Sequence, residues 1–364
     1  MDRSSGSQKK FKYEDYKVGW LAVLDLEFIV AVKMLDERHQ RLLQKPQDAN
    51  IYTLGRIGEH NVVIAHPRNK GTNCAAHTAA NMVRTFPNLR FVLLVGIGGG
   101  VPSPPAGQDS DEVEDLRLGD VVVGTPVDCR PSIIQYDMGK LLADGNFTIK
   151  SRLRDPPELL LNAVEALRLE DYLGESNLSE YLETAIKNIG SGCKRGASYQ
   201  FPGRNNDNLF KSNYRHIDDG SHSCKSCDLT QTETRIERET DTPVIHYGLI
   251  ASANTVMKSA RRRDELRVSE GICCFEMEAA GLMDNIPCLV IRGISDYSDD
   301  HKNDRWQGYA AAAAAAYAKD LLRVLLPEEV KSAEAVSNIL GELKVTIEGI
   351  GNSVRESAFH PLVH

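Results

Sequence analysis

FVLLVGIGGG, residues 91–100, joins five consecutive apolar residues to a run rich in glycine. Nothing in 91–95 alternates with polar residues, so both faces of this strand must be covered. The glycines after it are read as a turn whose bare backbone lets a ligand come close. The pattern is neither G-x-G-x-x-G nor a Walker loop, since no G-K-[ST] closes it. Upstream, the Ala-rich stretch 72–86 is expected as a helix, and 51–66 as a hairpin turned at 58–61. Residues 18–24 are expected as a buried strand. Helix 27–35 follows, with Phe28, Val32 and Leu35 on one face. Downstream, LRLGDVVVGTPV, IHYGLIAS and PCLVIRGIS are expected as strands. Helices are expected over 155–189 and 255–268, in CFEMEAAGLM (274–283) and in RWQGYAAAAAAAYAKDLLRVLL. Apolar strands alternating with helices predict an α/β fold of three αβα layers, a central mixed sheet flanked by helices.

The chain has 364 residues, enough for one large α/β domain or two ordinary ones. Residues 1–13 are polar and are read as a flexible tail, and 14–327 as the domain. An irregular, acid- and base-rich insert spans about 191–242, and 102–115 is an acidic loop. In 328–364, Val330, Ala333, Val336, Leu340, Leu343 and Ile347 repeat at helical spacing. This stripe either packs on its own domain or a dimer partner, or serves a further module. A net charge of −8 argues against nucleic acid as a partner. No apolar run approaches the ~18 residues of a membrane span, and the first residues have no apolar secretory core. Scattered cysteines without such a leader fit reduced thiols in the cytoplasm or nucleus, and a cytoplasmic protein is expected.

Four strand ends could carry chemistry, which is where ligands bind in open α/β sheets. Asp25 and Glu27 open a helix in LDLE, and their bland reading is dipole complement. GIGGG is the second, its bland reading a tight turn. In CFEMEAAG, Glu276 and Glu278 enter an otherwise apolar segment. On a helix, residues two apart point about 200° apart, so the two acids would not face one site. Finally, GISD ends a strand in Ser295–Asp296, where an Asp is either a general acid or a helix N-cap.

Taken in order, VGWLAVLDLE, LVGIGGG, LRLGDVVVG, HYGLIASAN, FEMEAAG and IRGISD resemble the purine nucleoside phosphorylase and nucleosidase superfamily over about residues 16–325. The hydrolytic branch acting on methylthioadenosine is most similar. QYDMGK, FPGRNNDNLF and DDHKNDRWQGYAAA look like the phosphorylase-like domains of fungal multidomain receptors of the NACHT or NB-ARC type. The resemblance implies that Asp296 protonates purine N7, oriented by Ser295, and that Asp rather than Asn favours adenine. It implies that Glu278 accepts the ribose hydroxyls, that Met277 packs on the sugar, and that Glu27 activates the attacking water. Glu276 keeps the bland or a supporting role. Gly98 would offer backbone contacts. Val256 stands where bacterial nucleosidases stack an aromatic ring, so Phe275 or Tyr136 would compensate. The phosphorylases hold phosphate with arginines in the first turn and before the glycines; LDLE and LLVGIGGG have none. Water is therefore the expected nucleophile.

The implied partner is a small purine nucleoside or nucleotide. Arg68 and Lys70 in HPRNKGTN precede a helix start and would suit a 5′ phosphate chain; Arg235 and Arg238 in the insert are further candidates. The bland reading is solvated surface cations. No cofactor is implied. HSCKSCD holds one C-x-x-C pair, Cys224 and Cys227, with His216 and His222 irregularly spaced. Zinc needs two paired spacings, so no metal is expected, and metal analysis would decide. A homo-oligomer is expected by resemblance. The competing readings are a phosphate-dependent phosphorylase and a non-catalytic sensing or assembly module.

Overall fold

A computed structural model describes residues 11–103, 115–145, 147–190, 196–220 and 223–340. The chain opens with β1 (Val18–Leu21) and α1 (Asp25–Met34). A short β2 (Glu37–Arg38) precedes the hairpin β3 (Ile51–Ile57) and β4 (His60–His66). Next come α2 (Thr72–Thr85), β5 (Phe91–Gly100), β6 (Val121–Gly124) and β7 (Ile133–Gln135). A separate ribbon, β8 (Gly139–Leu141) and β9 (Phe147–Ile149), leads to α3 (Glu158–Leu173) and α4 (Leu178–Gly190). The chain continues through β10 (Ile245–Ser252), α5 (Ala260–Glu270), β11 (Ile272–Glu276), β12 (Cys288–Asp296), α6 (Gln307–Val324) and α7 (Pro327–Ser332).

The main sheet runs β11-β10-β6-β12-β5-β1-β4-β3-β2, with β7 added beside β10. It is mixed: β1, β4, β5 and β12 run parallel, while β6 opposes β12. The end of β11 also pairs antiparallel with the end of β5, Cys274 with Gly100 and Phe275 with Gly99, so this half of the sheet closes on itself. One face is covered by α1, α3, α4 and α6, the other by α2 and the turn after β11. This is the expected three-layer αβα architecture. The seven alanines 310–316 of α6 are buried and let the helix lie close on the sheet. Where it crosses β12, a Cβ on Gly293 would overlap the Ala310 backbone.

Several local expectations change. The glycines 96–100 are not a turn; they continue β5, because β12 pairs alongside them through Gly99. CFEMEAAGLM is not a helix. Ile272–Glu276 pair with β10 and β5 as a strand, and one 3-10 turn, Ala279–Gly281, follows. The helical stretch 155–189 is broken at Gly174, whose left-handed conformation (φ 73°) ends α3. The stripe from Val330 onward is not one continuous helix. α7 stops at Ser332, a second helical segment begins at Val336, and Val330 and Val336 are buried. The Val336 N–H donates to the Leu89 carbonyl (2.8 Å) and Ser337 Oγ to that of Pro87 (2.9 Å). Residues 341–364, with Leu343 and Ile347, lie outside the described residues, as do 1–10, 104–114 and His222. Among the described residues no helix is long and apolar enough to cross a membrane.

Candidate active site

The C-terminal ends of β1, β5, β11 and β12 meet at one pocket. Glu27 is the third residue of α1 and turns back over the helix start, as orphan N–H groups there invite. Its Oε2 accepts from the N–H of Val23 and of Leu24 (2.8 Å each), and its Oε1 from that of Ile97 (2.8 Å). A carboxylate offers about four acceptor positions, so one stays free for a further donor. Gly96 is required here: a Cβ would overlap the Glu27 carboxylate and lie 2.6 Å from the Arg292 guanidinium.

Because β11 is a strand, Glu276 and Glu278 converge instead of diverging. Arg292, in the middle of β12 and 1% exposed, donates through Nη2 to Glu276 Oε2 and to Glu278 Oε2 (3.3 Å). Glu276 also accepts from the N–H of Glu278 (3.0 Å) and of Ala279 (3.0 Å). Glu278 Oε1 receives the Gly71 N–H (3.2 Å) at the start of α2. Burial pushes the Glu278 carboxyl up to about 7. Arg292 opposes this, while Glu276 and Glu27 add to it. The same burial is outweighed at Arg292 by its acidic neighbours, which raise it further above the ordinary guanidinium range. Three carboxylates around one guanidinium leave an excess of negative charge in a buried place.

Asp296 ends β12. Its Oδ2 accepts from Ser295 Oγ (2.9 Å) and from Lys302 Nζ, and its Oδ1 from the Ser298 N–H (3.0 Å). Ser298 is buried and sits at φ 56°, in the left-handed region that L side chains rarely adopt. Its Oγ is buried, has no hydrogen-bond partner and borders the pocket.

Glu27, Glu276, Met277, Glu278 and Asp296 thus line a single pocket. Gly98, Phe275, Val256, Lys70 and Ser295 also border it. Phe275 carries Tyr136 edge-on behind it (5.2 Å between centroids). Arg68 is exposed on the turn before Lys70 and does not line the pocket. The start of α2 is not open to an anion: Glu278 takes the Gly71 N–H and Asn254 Oδ1 the Thr72 N–H (3.0 Å). Arg235 and Arg238 are engaged elsewhere: Arg235 pairs with Asp207 within the insert (2.8 Å) and donates to Tyr297 Oη (2.8 Å), and Arg238 pairs with Asp120 (2.7 Å), so the contacts to Tyr297 and Asp120 pin the insert to the domain. Sequence reasoning missed Arg292, Ser298 and Lys302. A lone arginine inside an apolar strand, close to acids in the chain, was the readable signal for the first.

No family model matches the chain. A nucleotide-binding leucine-rich repeat (NLR)-like protein of Hyaloscypha variabilis is 43% identical over 319 residues. That match covers 87% of this chain and 30% of the relative, so the chain spans under a third of the relative's length. ATP nucleosidase Cap17 of Escherichia coli is 31% identical over 86 residues, 22% of this chain and 17% of that protein. Among solved structures, futalosine hydrolase of Helicobacter pylori matches with a TM-score of 0.52 at 17% identity, covering 85% of this chain and 98% of its own. The 5′-methylthioadenosine/S-adenosyl homocysteine nucleosidase of the same organism gives 0.53 at 16%, with the same coverage. The chain has the fold of these nucleosidases.

Proposed function

We propose that the chain hydrolyses the N-glycosidic bond of an adenine nucleoside or nucleotide and releases adenine. The observation that carries this reading is the meeting of Glu27, the Glu276–Arg292–Glu278 cluster and Asp296 in one pocket. The Lys302 ammonium facing Asp296 supplies a proton to that carboxylate, Asp296 passes it to purine N7, and Ser298 Oγ, unpartnered beside it, bonds the base. Protonation makes adenine a neutral leaving group as the C1′–N9 bond breaks. Glu278 accepts the ribose hydroxyls, and the uncompensated negative charge around Arg292 favours the cationic sugar. A water on the free acceptor position of Glu27 attacks C1′ and leaves its proton on that carboxylate. Arg292 and Glu276 position Glu278 and do not touch substrate. Phe275 and Met277 bound the base and sugar.

Lys70 borders the same pocket, and its charge suits a 5′ phosphate better than a methylthio group. The partial likeness to an ATP nucleosidase points the same way. Adenosine, AMP, ATP and methylthioadenosine are to be incubated with the protein and free adenine measured by chromatography. Adenine from AMP or ATP in phosphate-free buffer is expected. Release that requires phosphate would make the chain a phosphorylase, and no release from any of the four would end the enzymatic reading.

A further inference from the structure

The cysteine pair set aside in the sequence gains two partners in the fold. His216, Cys224, Cys227 and His301 each present one ligand atom, all within 4.8 Å of one another. The fourth, His301, lies 74 residues beyond Cys227, too distant for any local spacing to show. Cys224 Sγ is 3.9 Å from Nδ1 of His216 and 3.9 Å from that of His301; Cys227 Sγ is 3.3 Å and 3.7 Å from the same two atoms. A tetrahedral zinc with bonds of about 2.3 Å to sulfur and about 2.05 Å to nitrogen puts sulfur and nitrogen about 3.6 Å apart. The four distances bracket that value. The tautomer also fits: Nε2 of His301 faces the Tyr214 carbonyl (3.2 Å), which can only accept. Nε2 therefore carries the hydrogen and Nδ1 keeps its lone pair towards the thiols. The ring is held flat on Phe210 (centroids 3.9 Å apart).

We propose that His216, Cys224, Cys227 and His301 form a structural zinc site that clamps the insert onto the loop following β12. Four protein ligands close the coordination, which is the mark of a structural site and not a catalytic one. The clamp reaches the active site through the chain itself. His301 precedes Lys302, which pairs with Asp296, and follows Ser298, whose N–H holds the same carboxylate. The ion joins the insert to the loop that sets the acid's surroundings. This site stands on its own ligand geometry and does not depend on the proposed reaction.

Total-metal analysis of the purified full chain, dialysed against metal-free buffer, is expected to give one zinc per chain. Cys227→Ser and His301→Gln are each expected to lose it. If those variants fold poorly, cobalt exchange into the unaltered protein decides: a tetrahedral site with two thiolates gives intense visible bands. Chelation is expected to speed proteolytic cutting between 216 and 227 while the sheet resists. A folded protein without zinc or cobalt bands, or a Cys224–Cys227 disulfide in protein isolated under reducing conditions, overturns the site. Zinc whose removal leaves that cutting unchanged overturns the clamp.

Discussion

Replacing Glu278 by Gln should separate stability from activity. The carboxyl is held near 7 instead of its ordinary 4.5 by burial and by Glu276 and Glu27. At about 1.4 kcal/mol per pH unit, its ionised form costs the native state about 3 kcal/mol. Between pH 4.5 and about 7 the folded protein keeps this proton while the unfolded chain gives it up. Native stability therefore falls as pH rises through that window and levels off above it. Gln removes the titration, so the stability of the variant relative to the unaltered protein should grow by about 3 kcal/mol from the acid to the alkaline side. Gln keeps one acceptor oxygen, for the Gly71 N–H, and turns its NH2 towards Arg292; that lost acceptor costs about 1–3 kcal/mol at every pH, but Glu276 still pairs with Arg292, so the fold is kept. Base release should nevertheless fall by two to four orders of magnitude, roughly the scale of one lost charge at a transition state. Urea unfolding on both sides of the window and adenine release above it measure the two halves. Glu276→Gln supplies the contrast. It removes the closest partner of buried Arg292 and should cost about 3–5 kcal/mol of stability at every pH in the window. A Glu278→Gln protein destabilised as uniformly as Glu276→Gln, or still active within a few-fold, would refute this account of the cluster.

Asp296→Asn should abolish proton delivery to the base and lower the rate about 10²–10⁴-fold, while nucleoside binding by calorimetry changes little. In the unaltered protein, kcat/KM should fall as pH drops below about 7, because protonated Glu278 no longer accepts both ribose hydroxyls; the pH profile of Glu278→Gln should lack that limb. Lys70→Ala should raise KM for AMP and ATP about tenfold and leave that for adenosine unchanged, as steady-state kinetics would show, with Arg68→Ala silent in the same assay. Gly96→Ala pushes a methyl group into the Glu27 and Arg292 side chains; a stability loss of about 1–3 kcal/mol by urea unfolding and a larger loss of turnover are expected.

The apolar run 91–95 was enough to call for a sheet covered on both faces, and the order of strands and helices followed from it. What failed was local. GIGGG, 96–100, reads as a turn because glycine disfavours strands, yet the missing side chains of Gly96, Gly98 and Gly99 make room for Glu27, Cys274 and Ser298. CFEMEAAG has helical composition, but pairing of Cys274 and Phe275 with β5 overrides propensity. That error in period carried over to Glu276, which the helical wheel turned away from the site and the strand turns onto Arg292. That Asp296 and Glu27 sit at the pocket was readable in position only, because strand ends and helix starts are marked in sequence; the roles proposed for them come from the resemblance. Lys302 was not, because its pairing with Asp296 six residues upstream depends on how the loop after β12 folds back, and His301 was not, since its partners lie in the insert.

The central claim is hydrolysis of a purine N-glycosidic bond by this pocket. It is tested most directly by adenine release from AMP and ATP in phosphate-free buffer, comparing the unaltered chain with Asp296→Asn. The account predicts stoichiometric adenine and ribose phosphates from the first and almost none from the second. Equal release from both, or none from any adenine nucleoside or nucleotide, would contradict it.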